Sequence, residues 1–360
     1  MSIGESESCA SFRWPGGQML QATRSSLFAA AVLAASFAPV AMAQGPYRVL
    51  DHWKIGGIGG WDYLTADPAA HRLYLTHGPR VEVVDDRDGK MIGSITGLKG
   101  THGVVLDPDG RFGYISDGGA NAVVVFDRKS LATVASIPAG TNPDGIAYEP
   151  VTKTVWAFNG RSKNVTVIDT ASRSVVATID LPGKPEFPEA DGKGHVFDNI
   201  EDKNSIVELD AHAKTLMTTL PLNDCDSPSG MAIDRVHHRI FSVCDGGKMA
   251  VVDTVTVKQV ATASIGDGPD AAKFDEKHQL AFSSNGGDGT LSVVDAAQGY
   301  KTLESLPTQK GARTMAYDPE ADRAYVVTAE FGPRPEPTPQ APHPRPAIVP
   351  DTFTVLVIGR

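Results

Sequence analysis

Apolar residues fall in short runs broken at regular intervals by Gly, Pro, Asn and Asp. Residues 142–182 carry the pattern most plainly. The spacing predicts four short strands there, at Gly145–Tyr148, Thr154–Phe158, Val165–Ile168 and Val175–Ile179. β-Branched and aromatic side chains fill the strands, and turn formers fill the gaps between them. An acid that ends the third strand recurs as Asp85, Asp127, Asp169, Asp210, Asp253 and Asp295, in steps of 41 to 43 residues. A second acid, ending the first strand, recurs as Asp67, Asp107, Glu149, Asp191, Asp234, Asp275 and Asp318. One four-stranded sheet cannot cover both of its own faces. A repeat of this length predicts sheets stacked radially as propeller blades, and the second series counts seven.

The last unit lacks a fourth strand. Its third strand is expected at 352–358, after a Pro-rich surplus at 331–350. A spare strand stands at 47–55, ahead of the first unit. The expected fold is therefore all-β, a seven-bladed β-propeller of four-stranded blades over residues 44–360. The N-terminal strand completes the last blade, since an open ring would leave sheet edges unpaired.

The second strands end in Tyr74-Leu75-Thr76-His77, Tyr114-Ile115-Ser116-Asp117, Trp156-Ala157-Phe158-Asn159, Val196-Phe197-Asp198-Asn199, Phe241-Ser242-Val243-Cys244, Phe282-Ser283-Ser284-Asn285 and Tyr325-Val326-Val327-Thr328. With third strands of the Val-Ile-Asp-Thr type, residues 47–360 resemble the YVTN-repeat, YncE-like β-propeller family. The resemblance implies the fold, and for function it implies an exported binding protein.

Residues 1–43 stand outside the repeat. A basic start at Arg24, an apolar run from Ser26 to Val40 and the small-residue site Ala41-Met42-Ala43 predict a secretory signal cleaved after Ala43. The run is too short for a stable membrane span. Translation starts at Met1 or at Met19. The expected location is the periplasm or the exterior. The net charge of −10 disfavours nucleic acid as a partner. A small ligand or a periplasmic protein is the expected partner. Two cysteines remain beyond the signal, Cys225 and Cys244, placed by the blade topology on one face of the ring. Export favours a disulfide between them.

Candidate chemistry comes from aligning the blades. The residue five before each first-strand acid falls at the mouth of the central channel: Asp62, His102, Asp144, Glu186, Ser229, Asp270 and Arg313. The ends of the second strands should face the same way: His77, Asp117, Asn159, Asn199, Cys244, Asn285 and Thr328. Carboxylate and amide oxygens around an axis suit Ca²⁺. Adding His77 and His102 beside Glu186 suits Zn²⁺. Turn capping competes as an explanation for each Asp and Asn, because their side chains bond nearby backbone. It explains the two histidines less well. Blade four breaks the pattern, with Pro185 and Pro188 in its first strand and the acids Glu186, Glu189, Asp198, Glu201 and Asp202 close together. The Pro-rich segment should be polyproline II and emerge on the mouth face, as a lid, a docking arm or an uninvolved insertion.

Two functions stay open. One is a non-enzymatic exported binding or scaffold propeller that recognises a small ligand, metal or protein at its polar face. The other is a metal-dependent, lactonase-like hydrolase or lyase using mouth carboxylates and a histidine.

Overall fold

A computed structural model describes residues 46–338 and 344–360. The signal segment, Cys9 and the tip of the Pro-rich loop lie outside the described residues. The rest forms seven four-stranded antiparallel sheets. Each of the first six follows chain order from the channel outward. The seventh is built from Thr314–Asp318, Arg323–Thr328, Thr354–Gly359 and, outermost, the N-terminal strand Arg48–Lys54. Arg48 pairs Gly359 and Lys54 pairs Thr354, so the ring is closed by its own first strand.

The strand spacing follows from turn chemistry. Asp169 accepts the backbone N–H of Ser172 at 2.8 Å, and its own carbonyl accepts the N–H of Arg173 at 2.9 Å. Asp127 does the same for Ser130 and Leu131, and Asp210 for Ala213 and Lys214. The residue four after each of these acids has φ of 55° to 61°. The recurring Asp is therefore a turn cap that sets up one left-handed residue, and it marks every hairpin between third and fourth strands. In blade one that left-handed residue is Gly89, at φ 70°. A Cβ there would stand 2.4 Å from the Trp53 ring, so Gly serves both the turn and the closing strand.

Burial falls off from the axis outward. Second and third strands are covered on both faces, which explains near-continuous apolar runs such as Thr154–Asn159. Fourth strands, such as Ser174–Asp180, bury little. Apolar side chains of adjacent blades interdigitate between sheets. One such layer joins Trp156, Phe158 and Val165 of blade three to Val196, Ile200 and Val207 of blade four.

Cys225 and Cys244 form a disulfide, with Cα atoms 5.2 Å apart and both residues buried. It ties the entry of blade five to the end of its second strand, across a separation of 19 residues. The double substitution to Ser is expected to cost about 3 kcal/mol on the chain-entropy account. Urea unfolding with and without reductant measures it. An unchanged midpoint on full reduction would contradict that figure.

Candidate channel-mouth site

The inner strands of blades one to four share one irregularity near their mouth ends. In blade one, Trp61 pairs His77 and Leu64 pairs Leu75, so Asp62 and Tyr63 together oppose Thr76. The same two-against-one step places His102 and Gly103 opposite Ser116, Asp144 and Gly145 opposite Phe158, and Glu186 and Phe187 opposite Asn199. In blade six the register slips at Asp270. A β-bulge turns a side chain out of the normal alternation. Here it aims one polar residue per blade at the axis.

Hydroxyls lock these bulges and join neighbouring blades. Thr76 accepts from the Asp62 N–H at 3.0 Å and donates to the Tyr63 carbonyl. Ser116 accepts from the Gly103 N–H and donates to the Asp144 carbonyl of the next blade at 2.6 Å. Ser284 donates to the carbonyl of Arg313, and Thr314 donates to that of Asp62. The third residue of the tetrapeptide thus supports the mouth, a role the sequence reading missed. The recurrence of Thr or Ser there was the available signal.

The bulged side chains meet. His102 Nδ1 lies 2.7 Å from Asp62 Oδ2 and 3.3 Å from Asp144 Oδ1. Arg313 bonds Asp270, stands 3.7 Å from Asp62 Oδ1, and donates to the Trp61 carbonyl. Lys184 bonds Glu186 at 2.9 Å and also bonds Glu201. Ser229 joins the ring through the Pro269 carbonyl.

Burial disfavours the charged form of His102, but the Asp62 hydrogen bond and the Asp144 charge outweigh it and push the imidazole up to about 9. Burial raises Asp270 to about 6 against the opposing Arg313. Burial raises Glu186 and Asp144 too, Glu186 further because Asp144 is close. Tyr63 is raised well above its usual value by burial first and then by the charge of Glu186.

Beneath the ring the channel is plugged. The rings of Tyr63 and Phe187, from blades one and four, meet edge to face at 4.7 Å. The mouth is therefore a cup with an aromatic floor. Its rim continues into a cavity of about 440 Å³ lined by Trp61, Asp270, Arg313, Phe331, Arg345 and Ile348. The last three belong to the Pro-rich loop. Its two limbs pair at Phe331 and Ile348, and Phe331 stands 6.1 Å from the Trp61 ring.

The second predicted set behaves differently. His77, Asn159, Asn199, Cys244, Asn285 and Thr328 are fully buried, and Asp117 nearly so. Asn159 donates to Asn164 and Thr166, and Asn285 to Thr290 and Ser292. Asp117 accepts from the N–H groups of Lys99 and Gly100. These residues brace strand ends. His77 packs on the Phe353 ring at 4.3 Å, with Arg80 at its Nδ1. Burial and then the Arg80 charge lower its pKa.

Blade four needs a correction of register. Ile200, not Asn199, pairs Pro185 and occupies the position of His77. Asn199 takes the place of the hydroxyl residue and donates to the Ser229 carbonyl of blade five at 2.6 Å. Asp198 then falls where blade one has Leu75. It is fully buried, and neither carboxylate oxygen has a hydrogen-bond partner. Burial raises its pKa well above the usual value, and the charge of Glu186 adds to this. Of the other acids in that blade, Glu189 bonds Arg235 and Asp202 bonds Lys163, both away from the ring of bulged residues.

The family model of the YNCE-like beta-propeller matches residues 19–188. No curated protein matches the sequence. Among solved structures the chain is similar to Kuenenia stuttgartiensis hydrazine synthase, with 17% identity and a TM-score of 0.67 over 75% of this chain and 92% of that one. It is also similar to the structure titled U3-55K, with 10% identity and a TM-score of 0.70 over 86% of this chain and 98% of the other. At these identities the likeness shows the fold alone. Among the described residues, no helix is long and apolar enough to cross a membrane.

Proposed function

Since the chain belongs to the YncE-like β-propeller family, a propeller scaffold of the binding kind, we propose that it is an exported, non-enzymatic binding protein whose ligand site is the channel mouth. The observation that carries the reading is the closed cup. Polar groups from successive blades converge over the Tyr63–Phe187 floor, and the Pro-rich loop supplies one wall of the adjoining cavity. Preformed concavity with a few convergent polar groups and an apolar wall is what small-ligand sites share. The ligand that fits is a small polar molecule with a flat apolar flank, its polar end at Asp270 and Arg313 and its flank against Trp61 and Phe331. Export is supported by the leader-like segment ending at Ala43 and by the Cys225–Cys244 disulfide, which suits an oxidising compartment. N-terminal sequencing of the periplasmic fraction should begin at Gln44.

The second reading, a metal-dependent hydrolase or lyase, draws on His102 between two carboxylates. A thermal-shift screen of small polar metabolites, followed by a panel of lactones and esters, separates the two. Under the binding reading, compounds raise the Tm of the wild type and not of Arg313→Met, and no panel member is turned over. Hits that shift both proteins equally place the site elsewhere. Turnover that disappears in His102→Gln replaces binding by hydrolysis.

A further inference from the structure

We propose that Asp62, His102 and Asp144 form a centre for one divalent transition-metal ion. The inference rests on reading the mouth as a binding site and names one of its ligands.

Geometry comes first. Nδ1 of His102 stands 2.7 Å and 3.3 Å from its two carboxylate oxygens, and the three donor atoms all lie within 4.8 Å of one another. Donors at about 2.0–2.2 Å from a zinc ion in tetrahedral geometry are about 3.3–3.6 Å apart. Small side-chain movements would admit the ion. The donors come from consecutive blades, and each is fixed by a bulge rather than carried on a mobile loop. One imidazole nitrogen with carboxylate oxygens suits Zn²⁺ or Mn²⁺ better than Ca²⁺, which takes oxygen ligands.

Charge leaves room for the ion. Asp270 is matched by Arg313 and Glu186 by Lys184. Asp62 and Asp144 hold the His102 imidazole between them, and Arg313 approaches only the other oxygen of Asp62, at 3.7 Å. With the imidazole neutral, as a ligand must be, those two carboxylates present the charge that a divalent ion cancels.

The other cluster with similar side chains, Asp275, His278 and Asp322, lacks this opening. Arg360 already stands 4.0 Å from Asp275 and 3.7 Å from Asp322, and Asp275 caps the turn at Lys277. It supplies the control.

Chelator-stripped protein is titrated calorimetrically with Zn²⁺, Mn²⁺ and Ca²⁺, with circular dichroism melts to verify that each variant is folded. One equivalent of Zn²⁺ or Mn²⁺ is expected to bind, with Ca²⁺ weaker. His102→Gln, His102→Asn and Asp144→Asn should each weaken binding at least about tenfold, while His278→Gln leaves it unchanged. No binding by folded wild type up to about 1 mM metal overturns the inference, as does binding indifferent to the His102 and Asp144 variants. If the metal fails to bind while a metabolite still shifts the wild type and not Arg313→Met, the mouth remains a binding site and only the metal is withdrawn.

Discussion

A chain that begins at residue 56 is expected to lose the closed ring. Removing residues 46–55 takes away the outermost strand of blade seven and leaves Thr354–Gly359 with an unpaired edge. It also removes Trp53, which is buried between blades seven and one against Tyr325 and stands within contact of Gly89. Burial of a Trp side chain of about 150–250 Å² is worth about 4–6 kcal/mol at about 25 cal/mol per Å². Tyr47, whose ring meets Phe282 at 5.5 Å, adds to the loss. The total rivals the whole stability of an ordinary domain. An open edge also invites pairing with a second chain. Size-exclusion chromatography with light scattering should show oligomers or aggregate, and near-ultraviolet dichroism should weaken. A synthetic peptide of residues 46–55 should restore the size of the intact protein by adding the missing strand. A truncated chain with unchanged size and Tm would mean that the closing strand contributes little.

In chelator, the protein should lose stability steadily between about pH 6.5 and pH 9. His102 is raised from 6.5 to about 9 in the native state, so its contribution is complete below pH 6.5 and disappears as pH rises through 9. Glu186 and Asp198 act in the same direction. Their carboxyls are raised in the native state, which keeps protons the unfolded chain has already released, so rising pH disfavours the fold. Asp270, raised only to about 6, is spent below this window. His77 opposes the trend only on the acid side, because its pKa is lowered and its burial as a neutral ring becomes costly below pH 6.5. The expected fall is about 2–3 kcal/mol for His102 by linkage, before the carboxyls are added. Urea midpoints across this range measure it, and His102→Gln should flatten the slope. Asp198→Asn removes an ionisable group from a dry position and should raise the stability at pH 8 more than at pH 5, by about 1–3 kcal/mol. A wild-type midpoint flat from pH 6.5 to 9 would refute the picture of a mouth held together by shared protons.

Much of this architecture could be read along the chain because the same physics repeats in every blade. Asp127, Asp169 and Asp210 are visible as a period because each caps the same turn with the same hydrogen bonds. Counting back five residues from the first-strand acids reached Asp62, His102, Asp144, Glu186, Asp270 and Arg313, because the inner strands have nearly equal lengths. The same reasoning treated His77 as their equal. It lies at the same end of its blade, but the regular pleat turns it into the layer against Phe353, whereas the bulge turns Asp62 toward the axis. A strand end and a bulge one residue away look alike in a sequence.

The sequence by itself determined the repeat, the number of blades and the closing strand, since turn capping and alternation act between residues near in the chain. It also placed both cysteines on one face. Only the tertiary structure decided which polar residues meet. The Tyr63–Phe187 floor joins blades one and four across the axis, a contact between residues far apart in sequence that no local pattern encodes. The register of blade four, which puts Asp198 in the core, was settled by the pairing of Pro185 with Ile200. The approach of Phe331 to Trp61 depended on the ring having closed. Local forces shape each blade, but the mouth is made where blades converge, and its chemistry depends on distances that exist only after they do.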